Sequence, residues 1–260
     1  MKELLLPNDW LNRKVRVLIA GAGGTGSQVI DQIASLDSVL RALGHPGFDV
    51  TLADPDTVSR WNLGRQRFTA ADVGLKKVAV LVHRINIFYG VAYKAHPQAV
   101  RVQEAGAYDL LITCTDSAKF RGALWQHYRG QKTRTLWLDF GNGNEGGQVV
   151  LGHLGMNGAD HLPNVGDLYP ALAEMDEPED QPSCSMQEAL QKQPWPANRA
   201  VAIAGISILE RLLRTGRLSF HGVLVQIDPY TVTPMRIDPA HWAMFGYQTT
   251  PKSAKRRKAA

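Results

Sequence analysis

Six side chains able to bind or polarise a phosphate ester follow one another along the first half of the chain: Asp54, Asn62, Arg65, Gln66, Lys77 and Asp116. They come after a glycine-rich turn, Gly21-Ala22-Gly23-Gly24-Thr25-Gly26, that closes an apolar run. Glycines at this spacing permit a tight turn, let a phosphate approach the backbone, and let helix and strand pack closely. A helix starting at Thr25 or Gly26 would offer unpaired amides and a positive dipole end to that phosphate. A carboxylate at the end of the next strand is expected on the ribose hydroxyls. Asp54 stands in that place, 28 residues after Gly26, the excess length matching an apparent insertion over Asp37 to Phe48.

To this point an NAD(P) site and an ATP site are equally served. The segment Asp54-Pro55-Asp56-Thr57-Val58-Ser59-Arg60-Trp61-Asn62-Leu63-Gly64-Arg65-Gln66 separates them. It sets carboxylates, an amide and a guanidinium beside the turn, and Lys77 adds a second cation at the start of the next helix. A dehydrogenase has no use for such a cluster there. Adenylyl transfer has, because charge builds on the α-phosphate and on departing pyrophosphate, where Arg and Lys stabilise it. Asp116, in Cys114-Thr115-Asp116-Ser117, is placed to hold Mg²⁺ with the phosphates. Singly, Arg65 reads as a surface ion-pair partner and Lys77 as a solvated helix residue. Together the set falls at successive strand ends and helix starts, where ligands of open α/β sheets bind.

The elements that must position these groups are legible. Val15 to Ala20 reads as the first strand, and Val29, Ile30, Ile33 and Ala34 carry helical spacing behind the turn. The stretch Asp37 to Phe48 reads as an insertion with a short helix and a Gly-His-Pro-Gly turn. Val50 to Ala53 reads as the second strand, Leu75 to Phe88 as a helix, Leu110 to Thr113 as a buried strand and Ala118 to Arg129 as a helix. Thr135 to Phe140 and Gln148 to Leu151 are further strands, separated by Gly141-Asn142-Gly143-Asn144. This alternation predicts an α/β fold: a Rossmann-like, doubly wound, mainly parallel sheet covered on both faces. Residues 155–196, rich in Pro, Gly, Asp and Glu, read as a crossover loop. Asn198 to Leu213 reads as a helix, and Gly222 to Ile227 with Thr231 to Ile237 as a C-terminal antiparallel pair.

With 260 residues, 44% hydrophobic and 20% charged, one domain covering 1–260 is expected. Within it, 15–153 forms the nucleotide-binding core, 197–246 the C-terminal helix and strands, and 250–260 a basic disordered tail. That tail carries five cations, as many as the formal net charge of +5, so the body is near neutral and a nucleic-acid partner is disfavoured. No apolar run is long enough for a membrane helix, and the N-terminal residues are too quickly polar for a signal peptide, so cytoplasmic residence is expected. Of the two cysteines, Cys114 ends a strand and reads as a buried small hydrophobe. Cys184 stands in a polar loop before a helix, where a thiolate could act as nucleophile, or be incidental.

Gly-Ala-Gly-Gly-Thr-Gly, Asp-x-Asp-Thr-Val-Ser-x-x-Asn-Leu-x-Arg-Gln, Val-Gly-x-x-Lys and Cys-Thr-Asp, in this order over residues 15 to 153, resemble the ThiF/MoeB/ubiquitin-activating (E1-like) superfamily. Within it, the chain resembles the ThiF-like group of the bacterial PRTRC gene system. The resemblance implies an enzyme that binds ATP·Mg²⁺ and adenylates the C-terminal glycine of a ubiquitin-like, β-grasp carrier protein. It assigns the phosphates to Gly21, Gly23, Gly24, Gly26, Asn62, Arg65 and Lys77, the ribose to Asp54, with Asp56 and Gln66 supporting the site, and Mg²⁺ to Asp116. The acyl group then passes to a cysteine, here Cys184, or to a sulfur-transfer chain, or no further. A homodimer is implied. The Cys-x-x-Cys pairs that hold structural zinc in many bacterial members do not occur here, so no structural zinc is expected. Dimeric members often borrow an N-terminal arginine from the partner, and Arg13 is the one candidate, outside the usual motif. An NAD(P)-dependent oxidoreductase and a non-catalytic nucleotide-binding scaffold are the alternatives.

Overall fold

A computed structural model of the chain describes residues 3–143, 145–174 and 195–248. Eight strands form one sheet in the order β10-β9-β7-β6-β5-β2-β3-β4. The parallel half comprises β2 (Val15–Ala20), β3 (Phe48–Ala53), β4 (Lys94–His96), β5 (Leu110–Thr113) and β6 (Leu136–Asn142). Its central strands are apolar at nearly every position because both faces are covered. The antiparallel half comprises β7 (Gly146–His153), β9 (Phe220–Ile227) and β10 (Tyr230–Arg236). A two-residue strand β1 (Leu4–Leu5) pairs with β8 (Arg217–Leu218) outside the main sheet.

The helices are α1 (Gly24–Ala42), α2 (Lys77–Tyr89), α3 (Ala118–Tyr128), a single turn α4 (Val165–Leu168), α5 (Ala197–Thr215) and α6 (Pro239–Ala243). The chain leaves β2 toward β3 and β4 on one side, then returns to β5 and β6 on the other. Right-handed crossovers therefore put α1 and α2 on one face and α3 on the other. α1 packs between α2 and α5, while α3 packs against α4 and the segment Pro170–Ala173. A Cβ on Gly122 would meet Ala173 Cα at 2.6 Å, which is why that position of α3 is glycine.

Two readings of the sequence are corrected. The segment Asp37 to Phe48 is no insertion with its own helix: α1 runs unbroken to Ala42, because Leu36 and Leu40 continue its buried stripe. Asp37, a turn signal by type, is buried and accepts the Phe48 N–H at 2.9 Å and the Tyr93 hydroxyl at 3.0 Å. The expected loop at Gly141-Asn142 is instead the end of β6, paired with Gly147 and Gln148 of β7. The short, polar edge strand β4 carries no apolar pattern and escaped the sequence. In residues 155–174 short helical turns replace the expected irregular loop. Cys184, the acidic stretch 176–180 and the basic tail 250–260 lie outside the described residues. Among the described residues no helix is long and apolar enough to cross a membrane.

Candidate active site

The strand order reverses between β2 and β5, and a cleft of about 1090 Å³ opens there at the carboxyl ends of the parallel strands. Its floor is the glycine turn. Gly21, at φ +100°, occupies a backbone conformation that side chains rarely adopt, and a Cβ there would meet the Cys114 carbonyl oxygen at 2.9 Å. Gly23 is the helix cap, and a Cβ on it would meet nothing within 4 Å, so that space belongs to the cleft. Gly24 also lines the cleft, against the Asn198 side chain. Gly26 does not line it. A Cβ there would come within 1.9 Å of the Gly21 carbonyl oxygen, so this glycine lets α1 close on the turn.

Asp54, at the end of β3, is buried and fully oriented: one carboxylate oxygen accepts the Ala22 N–H at 2.7 Å and the other the Asp56 N–H at 2.8 Å. It lines the cleft and ties the end of β3 to the turn. Lys77, the first residue of α2, is 6% exposed, and its Nζ donates to Asp56 Oδ2 at 2.6 Å. Lys76 instead reaches the Pro55 carbonyl from an exposed position, so of the adjacent lysines it is Lys77 that lines the cleft. Arg65 and Gln66 line the same wall, and the Gln66 carboxamide oxygen is buried with no hydrogen-bond partner among the described residues. Asn62 is not part of the lining. Its carboxamide oxygen accepts from the Ser59 amide at 2.8 Å and hydroxyl at 3.2 Å, closing the loop that presents Arg65 and Gln66. Asp116 stands exposed on the cleft wall between β5 and α3.

Four residues not singled out by the sequence complete the cleft. Arg121 donates from Nε to Asp139 at 2.9 Å and from Nη2 to the carbonyls of Thr115 and Phe140. Burial pushes the Asp139 carboxyl up, with Arg121 and a Thr113 hydroxyl bond opposing the rise. Thr25, Asn142 and Asn198 form the second group: the Asn198 carboxamide oxygen accepts from Thr25 Oγ1 at 3.0 Å and Asn142 Nδ2 at 2.8 Å. They join the starts of α1 and α5 to the end of β6. Cys114 also borders the cleft, but desolvation raises its thiol well above the ordinary range, which leaves it a poor nucleophile. Arg13 lies at the opposite end of the strands, held by Asp9 and Asp109.

The residues fit a nucleoside triphosphate: open space over Gly23, an oriented buried carboxylate and a cationic wall share one cleft. For a divalent cation, Asp116 offers one exposed carboxylate. Among the described residues no group of three or more His, Cys, Asp or Glu is placed to hold a metal ion. One carboxylate is a donor set that Mg²⁺ accepts when substrate phosphates supply the rest.

A family model described as the ThiF family matches residues 11–242. The chain is 32% identical over 134 residues to the adenylyltransferase and sulfurtransferase UBA4 of Yarrowia lipolytica (strain CLIB 122 / E 150), covering 46% of this chain and 31% of that protein. Among solved structures it is similar to E. coli MccB with ATP, with a TM-score of 0.56 and 14% identity over 88% of this chain and 65% of that one. It is also similar to MccB in complex with N-formylated MccA, at 0.57 and 15% over 88% and 66%. For selenomethionine PaaA the values are 0.58 and 15% over 86% and 64%. The chain thus spans about a third of the curated relative and under two thirds of that last chain. At these identities the structural likenesses establish the fold.

Proposed function

Because the chain belongs to the ThiF family, we propose that it activates a carboxylate by ATP-dependent adenylation, its substrate being the C-terminal glycine of a ubiquitin-like or sulfur-carrier protein. The observation that carries this reading is the cleft wall on which Arg65 and the buried Lys77, paired with Asp56, stand beside the glycine turn and Asp54. A triphosphate that loses pyrophosphate builds more charge on this wall than a dinucleotide that only binds, and Lys and Arg are the groups that stabilise it. UBA4, by its name, pairs adenylyl transfer with sulfur transfer, and MccB has been crystallised with ATP.

In the proposed reaction a carboxylate oxygen forms a bond to the α-phosphorus, the bond to the bridging oxygen of the β-phosphate breaks, and pyrophosphate leaves with that electron pair. Asp54 accepts hydrogen bonds from the ribose. The turn amides and α1 receive phosphate, while Lys77 and Arg65 stabilise the charge that builds on the phosphates. Asp116 would hold Mg²⁺, which when bound neutralises phosphate charge. No side chain has to move a proton, so rate comes from positioning and electrostatics. The Cys184 thiolate then attacks the acyl carbon, forming a thioester as the acyl–phosphate bond breaks and AMP leaves, or the acyl group enters sulfur transfer, or the reaction stops at the adenylate. A cytoplasmic homodimer completes the proposal.

The test is the intact mass of a β-grasp protein ending in Gly, incubated with this protein and ATP. The proposal requires gain of one adenylyl group, trapped before hydrolysis. Tight NADH binding with no adenylyl gain on any such carrier would replace it with the oxidoreductase reading.

A further inference from the structure

The cleft carries three cationic side chains among its described lining residues, and they are not evenly spread. Arg65 and Lys77 stand on the β3–α2 side, with Asp54 and Asp56. Arg121 alone serves the other half, built from the ends of β5, β6, β7 and β9, where Asp116 and Glu145 add negative charge. A carboxylate approaching a phosphate brings like charges together, which is unfavourable unless a cation meets the carboxylate itself. Among the described lining residues only Arg121 is on that side.

Its surroundings fix it in one pose. Asp139, 1% exposed, accepts from Arg121 Nε at 2.9 Å and from the Thr113 hydroxyl. The Thr113 oxygen in turn accepts the Trp137 indole N–H at 2.8 Å. Arg121 Nη2 is shared between the carbonyls of Thr115, in the loop that carries Asp116, and Phe140, near the end of β6. The guanidinium is thus gripped along one edge by β6 and the loop after β5. Nη1 has no partner among the described residues, on a side chain that lines the cleft.

We propose that Arg121, oriented by Asp139, receives the substrate carboxylate and directs it to the α-phosphate, while the nucleotide is held by the other half of the cleft. Arg121 is then a binding residue for the acyl substrate, and Asp139 a positioning residue acting through it. A fixed planar donor suits a carboxylate better than a flexible ammonium does. The inference rests on the adenylation reading above.

The experiment is ATP–pyrophosphate exchange driven by a β-grasp carrier ending in Gly, in wild type, Arg121→Lys and Asp139→Asn, with ATP affinity measured separately by calorimetry without carrier. For Arg121→Lys the carrier KM should rise about tenfold or more, with ATP affinity within about twofold of wild type, since no contact to the nucleotide half is lost. Binding of a carrier whose C-terminus is a carboxamide should be equal in wild type and Arg121→Lys. Asp139→Asn keeps the cation but loosens its grip. It should reproduce the rise in carrier KM, again sparing ATP affinity. Lost ATP affinity in Arg121→Lys would make Arg121 a phosphate ligand and overturn the inference. So would an unchanged carrier KM, or equal losses for carboxylate and carboxamide carriers. Absence of exchange in wild type would instead overturn adenylation itself, and this inference with it.

Discussion

The Lys77 ammonium lies 2.6 Å from Asp56 Oδ2, yet the lysine side chain is 8% exposed and the aspartate 59%. The cation is therefore fixed by an acid that solvent already screens, which leaves its field available to a ligand in the cleft. The solvent-screened Asp56 offsets only part of the desolvation cost of so buried an ammonium, and a phosphate in the cleft would offset more.

Removal of that charge gives the first prediction. Lys77→Ala should lower the adenylation rate by about 10²–10³-fold, the range for loss of one preorganised electrostatic donor. Asp56→Asn leaves the cation in place and should cost much less. Rates measured under saturating ATP and carrier check both; a Lys77→Ala enzyme near wild-type rate would remove Lys77 from the chemistry.

Two glycines of one turn should separate binding from folding. Gly26→Ala forces a Cβ to within 1.9 Å of the Gly21 carbonyl oxygen, so thermal stability should drop by at least about 1–3 kcal/mol. Gly23→Ala meets no protein atom within 4 Å and should melt like wild type while losing ATP affinity, because its methyl enters the space a phosphate needs. Melting curves with and without ATP distinguish the two. Equal ATP-induced stabilisation in Gly23→Ala and wild type would place the phosphates elsewhere.

Acid should destabilise the fold through buried histidines. Desolvation, with His161 adding repulsion, holds His153 down at about 4. Desolvation likewise holds His221 at about 4, while it bonds the Leu151 carbonyl and the Trp242 indole. A histidine titrates near 6.5 when unfolded, so the unfolded chain takes the proton first. The stability these neutral rings contribute is complete above about 6.5 and is lost as pH falls toward 4, on the order of 3 kcal/mol each at most. Denaturant midpoints from pH 7 to 4 should fall, and His221→Gln, though weaker at pH 7, should flatten that slope. An unchanged slope would contradict the assignment.

Cys184 is tested by chemistry. Cys184→Ala should preserve pyrophosphate exchange and abolish any thiol-sensitive covalent adduct with the carrier. Persistence of the adduct in the variant would exclude Cys184 as its site.

What the sequence disclosed and what it concealed follow from the range of the contacts. The glycine turn, Asp54 and the Arg65–Gln66 loop are local in the chain, and backbone rules tie each to a strand end. Arg121 was not legible, because its acid lies 18 residues away on another element. Thr25 meets Asn198 across 173 residues, a contact no local spacing encodes. Asn62 shows the converse: its motif position suggested a phosphate contact, while its side chain is engaged in closing the loop on Ser59. Asp37 was misread because an aspartate is a turn signal until burial gives it amide and hydroxyl donors.

The central claim is that this cleft joins a glycine carboxylate to the α-phosphate of ATP. Exchange of labelled pyrophosphate into ATP tests it most directly, because the label enters only when the adenylate forms and reverses. The account predicts exchange that requires both the protein and a carrier ending in a free glycine carboxylate, and that disappears when the carrier's terminal carboxylate is amidated. Exchange that proceeds equally well with the amidated carrier, or no exchange with any glycine-terminated carrier, would contradict it.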